Sequence, residues 1–194
     1  MNTEKSIALE ISKDISFSQK EKDFINSKFK KITLKKGEIL LSPNTFVNHQ
    51  YYISSGCLRS FFVGKSGKEH TVQFAIKDWW MSDYTAFFSS GISKMSVECI
   101  QDAVIHEISR EDMEILYASI PGLESLFRKK LESAFASFQQ RILGYLSQSA
   151  LERYLTFIKN YPNIEKIVKN YHIASYLGIT TESLSRIRKI VANR

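Results

Sequence analysis

The sequence predicts an α+β chain: an N-terminal antiparallel β-barrel or jelly roll, a long helix, and a small C-terminal helical domain. Three observations carry this. From Lys31 to Ile108, short aromatic and β-branched runs alternate with turn signals. Leu123 to Tyr145 holds an apolar stripe at helical spacing for more than three heptads. The last quarter of the chain is basic and carries two short helical patterns joined at a glycine. A chain of 194 residues with 43% hydrophobic content is long enough for one good core and a second, smaller one.

Each element has a local reason. Ser18 and Glu21 form a capping box ahead of Phe24, Ile25 and Phe29, which predicts a short amphipathic helix over Ser18 to Phe29. The turn signals are Lys36-Gly37, Ser42-Pro43-Asn44, Ser54-Ser55-Gly56, Gly64 to Lys68, Lys77-Asp78 and Ser89-Ser90-Gly91. Between them lie candidate strands at Glu38 to Leu41, His49 to Ile53, Cys57 to Val63, His70 to Ile76, Met95 to Ile100 and Val104 to Ile108. So many short strands in so little chain suggest a closed antiparallel architecture, although a sandwich would read alike. Ser109, followed by Glu111 and Asp112, caps a further helix that Pro121 and Gly122 end.

The stripe of Leu123, Phe127, Leu131, Ala134, Phe138, Ile142 and Tyr145 advances in steps of three and four. It needs a partner, either the β-domain of the same chain or the same helix of a second subunit as a two-fold coiled coil. Leu126 and Phe135 widen the face enough for both. Ser147-Gln148-Ser149 reads as a hinge, Ala150 to Asn160 as a helix, and Tyr161-Pro162-Asn163 as its stop. The expected domains are therefore residues 1–122, a connecting helix over 123–146, and a helical domain over 147–194.

The charge is unevenly spread. The net of +7 divides into five positive charges from Ser147 onward, where eight basic residues face three acidic ones, and two in all the rest. Such a concentration suits a polyanion, because neutralised phosphates release condensed counterions, although a solvated basic surface has the same composition. No apolar run reaches the length of a membrane span and no signal-type segment opens the chain, so a cytoplasmic protein without membrane partners is expected. Cys57 and Cys99 lack metal-ligand spacing and read as buried thiols. His49, His70, His106 and His172 show no ligand setting, so no metal and no cofactor is expected. Nucleophile elbow, Walker loop and His-rich metal spacing are all missing, which argues against an enzyme.

Tyr171 to Ile190 has the pattern of a helix-turn-helix. Ala174 is small where two helices cross, Gly178 can take the positive φ of the turn, and Ile179 plugs the corner. Thr180 caps the second helix, whose buried face is Leu184, Ile187 and Val191. The outward set, Thr181, Glu182, Ser185, Arg186, Arg188 and Lys189, suits contacts with bases and phosphates of double-stranded DNA: Arg reads guanine bidentately and Glu accepts from cytosine N4. An amphipathic helical hairpin with a charged face is the plainer alternative.

With these residues in view, the chain resembles the Crp/Fnr regulators, the family of the cyclic-AMP receptor protein and the fumarate–nitrate reduction regulator. The resemblance covers nearly the whole chain and rests on the order of elements, on Ile173 to Ile179 followed by Glu182 to Ile187, and on Gly56-Cys57-Leu58-Arg59 in the barrel. It implies a cyclic-nucleotide-binding-like sensor domain, a homodimer held by the long helix, sequence-specific transcription regulation, and RNA polymerase as a further candidate partner. It also implies base reading at Glu182 and Arg186, and often at the position of Thr181. The family's β-hairpin wing has no counterpart before Arg194, and Arg188, Lys189 and Arg194 are expected to substitute in part.

Family members that bind cyclic nucleotides pair Gly-Glu with Arg-Ser or Arg-Thr ten residues later. Ser82-Asp83 and Ser93-Lys94 stand at those places, so ordinary cyclic-AMP binding is not expected. An effector pocket at Trp80, Ser82, Asp83, Tyr84, Ser93 and Lys94 would then take another small molecule, with Phe74, Trp79, Phe87 and Phe88 either lining it or simply forming core. A cyclic-nucleotide-binding module that acts through protein contacts without DNA is the alternative to the DNA-binding regulator.

Overall fold

A computed structural model of the chain describes residues 6–11 and 15–193; Arg194, expected to add a phosphate contact, lies outside them. The described residues divide between two compact units, one within residues 6–60 and 74–127, the other within residues 61–73 and 128–193.

In the first unit, helices α1 (Ile7–Ile11) and α2 (Gln19–Lys28) precede strands β1 (Lys30–Leu34) and β2 (Ile39–Leu41). The Ser18–Glu21 capping box forms as expected, with the Ser18 hydroxyl accepting from the Glu21 amide. Strands β3 (His49–Val63), β4 (Glu69–Ile76), β5 (Trp80–Met81) and β6 (Ser96–Ser109), with helices α3 (Tyr84–Ser89) and α4 (Arg110–Ser119), complete the run before the long helix. The antiparallel sheet follows the open path β1-β6-β3-β4, with β2 on β6 and β5 on β3. Among the described residues no pairing joins β1 to β4, so β4 ends the path.

Two pairs of expected strands are each a single long strand. Ser54-Ser55-Gly56 does not end a strand; it bends β3 in mid-course. Gly56 has a φ of 88°, and a Cβ there would meet the Asp102 carbonyl oxygen at 2.4 Å and the Ala103 Cα at 2.6 Å. Glycine marks a close backbone approach of β6, which is likewise continuous through Gln101-Asp102-Ala103. Helix α3 escaped the sequence reading because its six residues are too few to show a period; Asp83 starts it by accepting from the Ala86 amide.

Two apolar clusters fill this unit. One lies among the strands, from Leu34, Ile53 and Leu58 to Val97 and Ile105. The other joins α1, α2 and α4 to the first turns of the long helix through Ile25, Tyr52, Leu116, Leu123 and Phe127. Cys57 and Cys99 are buried and unpaired as a disulfide, and burial pushes the Cys57 thiol up to about 12.

The long helix, α5 (Leu123–Ser147), belongs to both units. In the second unit it is followed by α6 (Ala150–Asn160), a short 3-10 turn (Ile164–Lys166), α7 (Asn170–Leu177) and α8 (Thr181–Ala192). Ser149 and Glu152 form a second capping box, which starts α6 directly behind the break at Gln148. Tyr154, Phe157, Tyr161, Ile164, Ile173, Ala174, Leu177, Leu184 and Ile187 are all buried.

Gly56→Ala imposes both an unfavourable φ and an overlap with backbone that cannot swing aside. We expect it to cost about 3 kcal/mol or more of stability, read as a lowered midpoint in chemical denaturation.

Candidate nucleic-acid interface

The helix-turn-helix is built by local capping and a small shared core. Gly178 ends α7 in the left-handed region, φ 68°, and donates back to the Ser175 carbonyl, while Ile179 donates to the Ala174 carbonyl. Thr180 then caps α8, its hydroxyl accepting from the Ser183 amide at 3.2 Å. Leu184 and Ile187 are buried on the helix that packs against α6 and α7, while Val191 is only half-buried.

The six expected readers separate into two groups. Glu182, Ser185, Arg186 and Lys189 are exposed at steps of three, one and three, so they share one side of α8, with Thr181 half-buried beside them. The Thr181 hydroxyl donates to Glu182 Oε1 at 3.1 Å. Hydrogen bonds from its own amide, then from Thr180 and Thr181, hold the Glu182 carboxyl below the usual carboxylate range. It is therefore an acceptor at neutral pH, as pairing with an amino group requires. Arg186 keeps one contact, Nη2 to Ser183 Oγ at 3.2 Å.

Arg188 is engaged elsewhere. Its guanidinium pairs with Glu165 at 2.6 Å and donates to Asn170 Oδ1 at 2.5 Å, and Glu165 also accepts from the Tyr154 hydroxyl at 2.6 Å. This network ties α8 to α6, α7 and the 3-10 turn, so Arg188 serves as a strut. Helical periodicity could not reveal it, because the partner is twenty-three residues back in the chain. Lys169 and Tyr171 stand exposed at the start of α7, the ammonium 5.7 Å from the ring centroid. They were missed because one lies at the end of a loop and the other reads as an ordinary helical aromatic.

The seven stripe residues of α5 likewise divide. Leu123 and Phe127 are buried in the first unit's core. Tyr145 donates its hydroxyl to the Tyr176 carbonyl, within the second unit. Phe138 is half-buried beneath the Arg141 guanidinium at 5.2 Å. Leu131, Ala134 and Ile142 are exposed, and the apolar surface continues through Phe135, 69% exposed, Leu143 and Leu146, 79% exposed.

At the expected effector pocket, Asp83 is only 2% exposed. Its carboxylate accepts from Ser93 Oγ at 2.9 Å, the Lys94 amide at 3.2 Å and the Ala86 amide at 3.2 Å. Ser82 donates to the His49 carbonyl at 2.8 Å. Trp80 packs with Phe29, Tyr52 and Phe127, and Tyr84 instead with Phe87 and Phe88, so the aromatic cluster is split between two cores. The Lys94 side chain is exposed. Among the described residues no group of three or more metal-ligating side chains comes together, and no helix is long and apolar enough to cross a membrane.

The family model described as the cyclic nucleotide-binding domain matches residues 31–119. The chain is similar to the anaerobic regulatory protein of Haemophilus influenzae, 24% identical over 173 residues, which are 81% of this chain and 65% of that protein. It is 23% identical over 171 residues to the fumarate and nitrate reduction regulatory protein of Escherichia coli, covering 81% and 67%. The chain thus spans about two-thirds of the length of these two regulatory proteins. Its fold is that of a CooA mutant from Carboxydothermus hydrogenoformans, with a TM-score of 0.73, 16% identity, and coverage of 98% of this chain and 85% of the other.

The two arginines of α8 have opposite expected phenotypes. Arg188→Met removes a half-buried network and lowers stability by about 1 kcal/mol, whereas Arg186→Ala leaves it within about 0.5 kcal/mol; thermal denaturation of the two variants side by side checks this.

Proposed function

We propose that the chain is a regulator of the Crp/Fnr type, dimeric and DNA-binding, that controls transcription sequence-specifically; the cyclic nucleotide-binding domain match and the two regulatory relatives support this reading. The observation that carries this reading is the exposed side of α8: an ionised carboxylate, a guanidinium, a hydroxyl and an ammonium on one side of a capped helix. A major groove admits such a helix, Arg186 would face guanine, Glu182 would accept from cytosine, and Lys189 would neutralise a phosphate. Thr181 and Ser185 complete the contact as short hydroxyl partners, and Lys169 and Tyr171 add candidates for the backbone. Arg188 supports this surface from behind.

We assign the dimer contact to the part of α5 beyond Arg128. Leu131, Phe135, Ile142 and Leu146 are apolar, exposed and spaced for a helical partner. A second copy of the same stripe is the occupant that also supplies a second recognition helix, about one DNA turn away on a two-fold symmetric site. Residues 1–122 would form the sensor, 123–146 the dimer helix and 147–194 the DNA-binding domain of a cytoplasmic protein acting on RNA polymerase.

The sensor reading is narrower. Asp83, Ser82 and Ser93 spend their hydrogen-bonding capacity on one another and on backbone, and two of the four expected cassette positions are serines. A cyclic phosphate would find an inward carboxylate and no buried guanidinium among these four. Any effector of the barrel is a small molecule other than cyclic AMP.

Selection of bound sequences from a random DNA pool tests this directly. A two-fold symmetric motif is expected, indifferent to cyclic AMP, and Arg186→Ala should weaken it by about 10- to 100-fold for each half-site. A pool that yields no motif overturns the proposal. In sedimentation velocity, Phe135→Asp is expected to weaken dimerisation by at least about 100-fold.

A further inference from the structure

Strand β4 ends the pairing path of the sheet, so that among the described residues no strand pairs along its second edge. Part of that edge is occupied by a side chain from the helix-turn-helix. Ser175, on α7, accepts from the Thr71 amide at 2.9 Å and donates to the Glu69 carbonyl at 3.0 Å. A hydroxyl is one donor and one acceptor, so a single serine here bridges two positions of a strand, as one residue of an adjoining parallel strand does. All of these residues lie in the second unit, to which the hairpin tip of residues 61–73 belongs.

Arg141 of α5 makes the neighbouring contact. Its guanidinium donates to the Val72 carbonyl and lies over the rings of Tyr176 at 4.8 Å and Phe138 at 5.2 Å. The Tyr145 hydroxyl, one turn further along α5, donates to the Tyr176 carbonyl. Thus one stretch of β4 backbone, one side of α5 and two consecutive residues of α7 form a single network. Helix α7 leads into α8 through the Gly178 turn and packs against it, with Ile173, Ala174, Leu177, Leu184 and Ile187 all buried.

The covalent link between α5 and α6 is only Gln148 and Ser149, with Arg153 bracing it by bonds to the carbonyls of Gln148 and Leu177. A two-residue break does not by itself define an angle. We propose that Ser175 and Arg141 are positioning residues for DNA recognition: by fastening α7 to the β4 edge and to α5, they set the angle between the dimer helix and the reading helix, and so the half-site spacing the dimer accepts. This rests on the reading of α8 as the DNA-reading helix, and it assigns to two residues outside that helix a separate, measurable property of the site.

The test uses the full chain and its selected operator, with the half-site spacing lengthened and shortened by single base pairs. The wild-type protein is expected to favour one spacing. Ser175→Ala should flatten that preference by about fivefold to tenfold while leaving the base preference inside each half-site unchanged, because α8 keeps its side chains. Ser175→Thr retains the hydroxyl and should restore the spacing preference, a rescue that a general loss of stability would not show. Arg141→Met should act like Ser175→Ala; if Arg141→Met does not fold, the two Ser175 variants decide alone. An unchanged spacing profile in Ser175→Ala overturns the inference and leaves the DNA reading standing. A wild-type protein that selects no operator overturns the DNA reading itself and the inference with it.

Discussion

Helix α5 carries an apolar stripe longer than any one surface of its own chain can cover. Its first turns are buried: Leu123, Leu126 and Phe127 pack into a core with Tyr52, Leu116 and, through ring contacts, Trp80. From Leu131 onward the stripe continues into solvent, ending at Leu146. Exposed apolar surface of this extent is costly in water and marks an interaction site more often than not. The dimer contact proposed above draws on that exposed part of the helix.

The second constraint is polar. A buried charged group must find a partner, and once it has one it is costly to recruit for a ligand. Arg59, 1% exposed, pairs with Glu98 at 2.8 Å inside the strand-filled core. Asp83 is held by Ser93 and by two amides, and Arg188 by Glu165 and Asn170. These charges organise the fold. The charges left on the surface of α8, on Glu182, Arg186 and Lys189, have at most weak local contacts and are available to a partner. Sorting charged residues by their internal employment separates the two arginines of α8, which composition and helical periodicity treat alike.

Much of this was legible in the sequence because it depends on short-range chemistry. The capping box at Ser18 and Glu21, the cap at Ser109, the Gly178 turn, the Thr180 cap and the buried spacing of Leu184 and Ile187 are all decided within a few residues. The helix-turn-helix and the long α5 were therefore readable, as was the alternation of strands and turns. Residue spacing also placed Glu182, Ser185, Arg186 and Lys189 on one side of a helix, since that follows from 3.6 residues per turn alone.

Other features were decided by groups far apart in the chain. Gly56 reads locally as a turn, yet the approach of Asp102 and Ala103 makes it a bend in one continuous strand. Trp80 and Tyr84 sit four residues apart and read as one aromatic cluster, but opposite packing partners send them to different cores. Arg188 lies outward by periodicity and turns to Glu165 because an ion pair is available there. Ser175 reads as an unremarkable helical serine until the β4 edge is beside it. Local propensity and periodicity determine elements and faces, because they act along the chain; which face meets which, and which polar group is already satisfied, is decided only when distant segments pack.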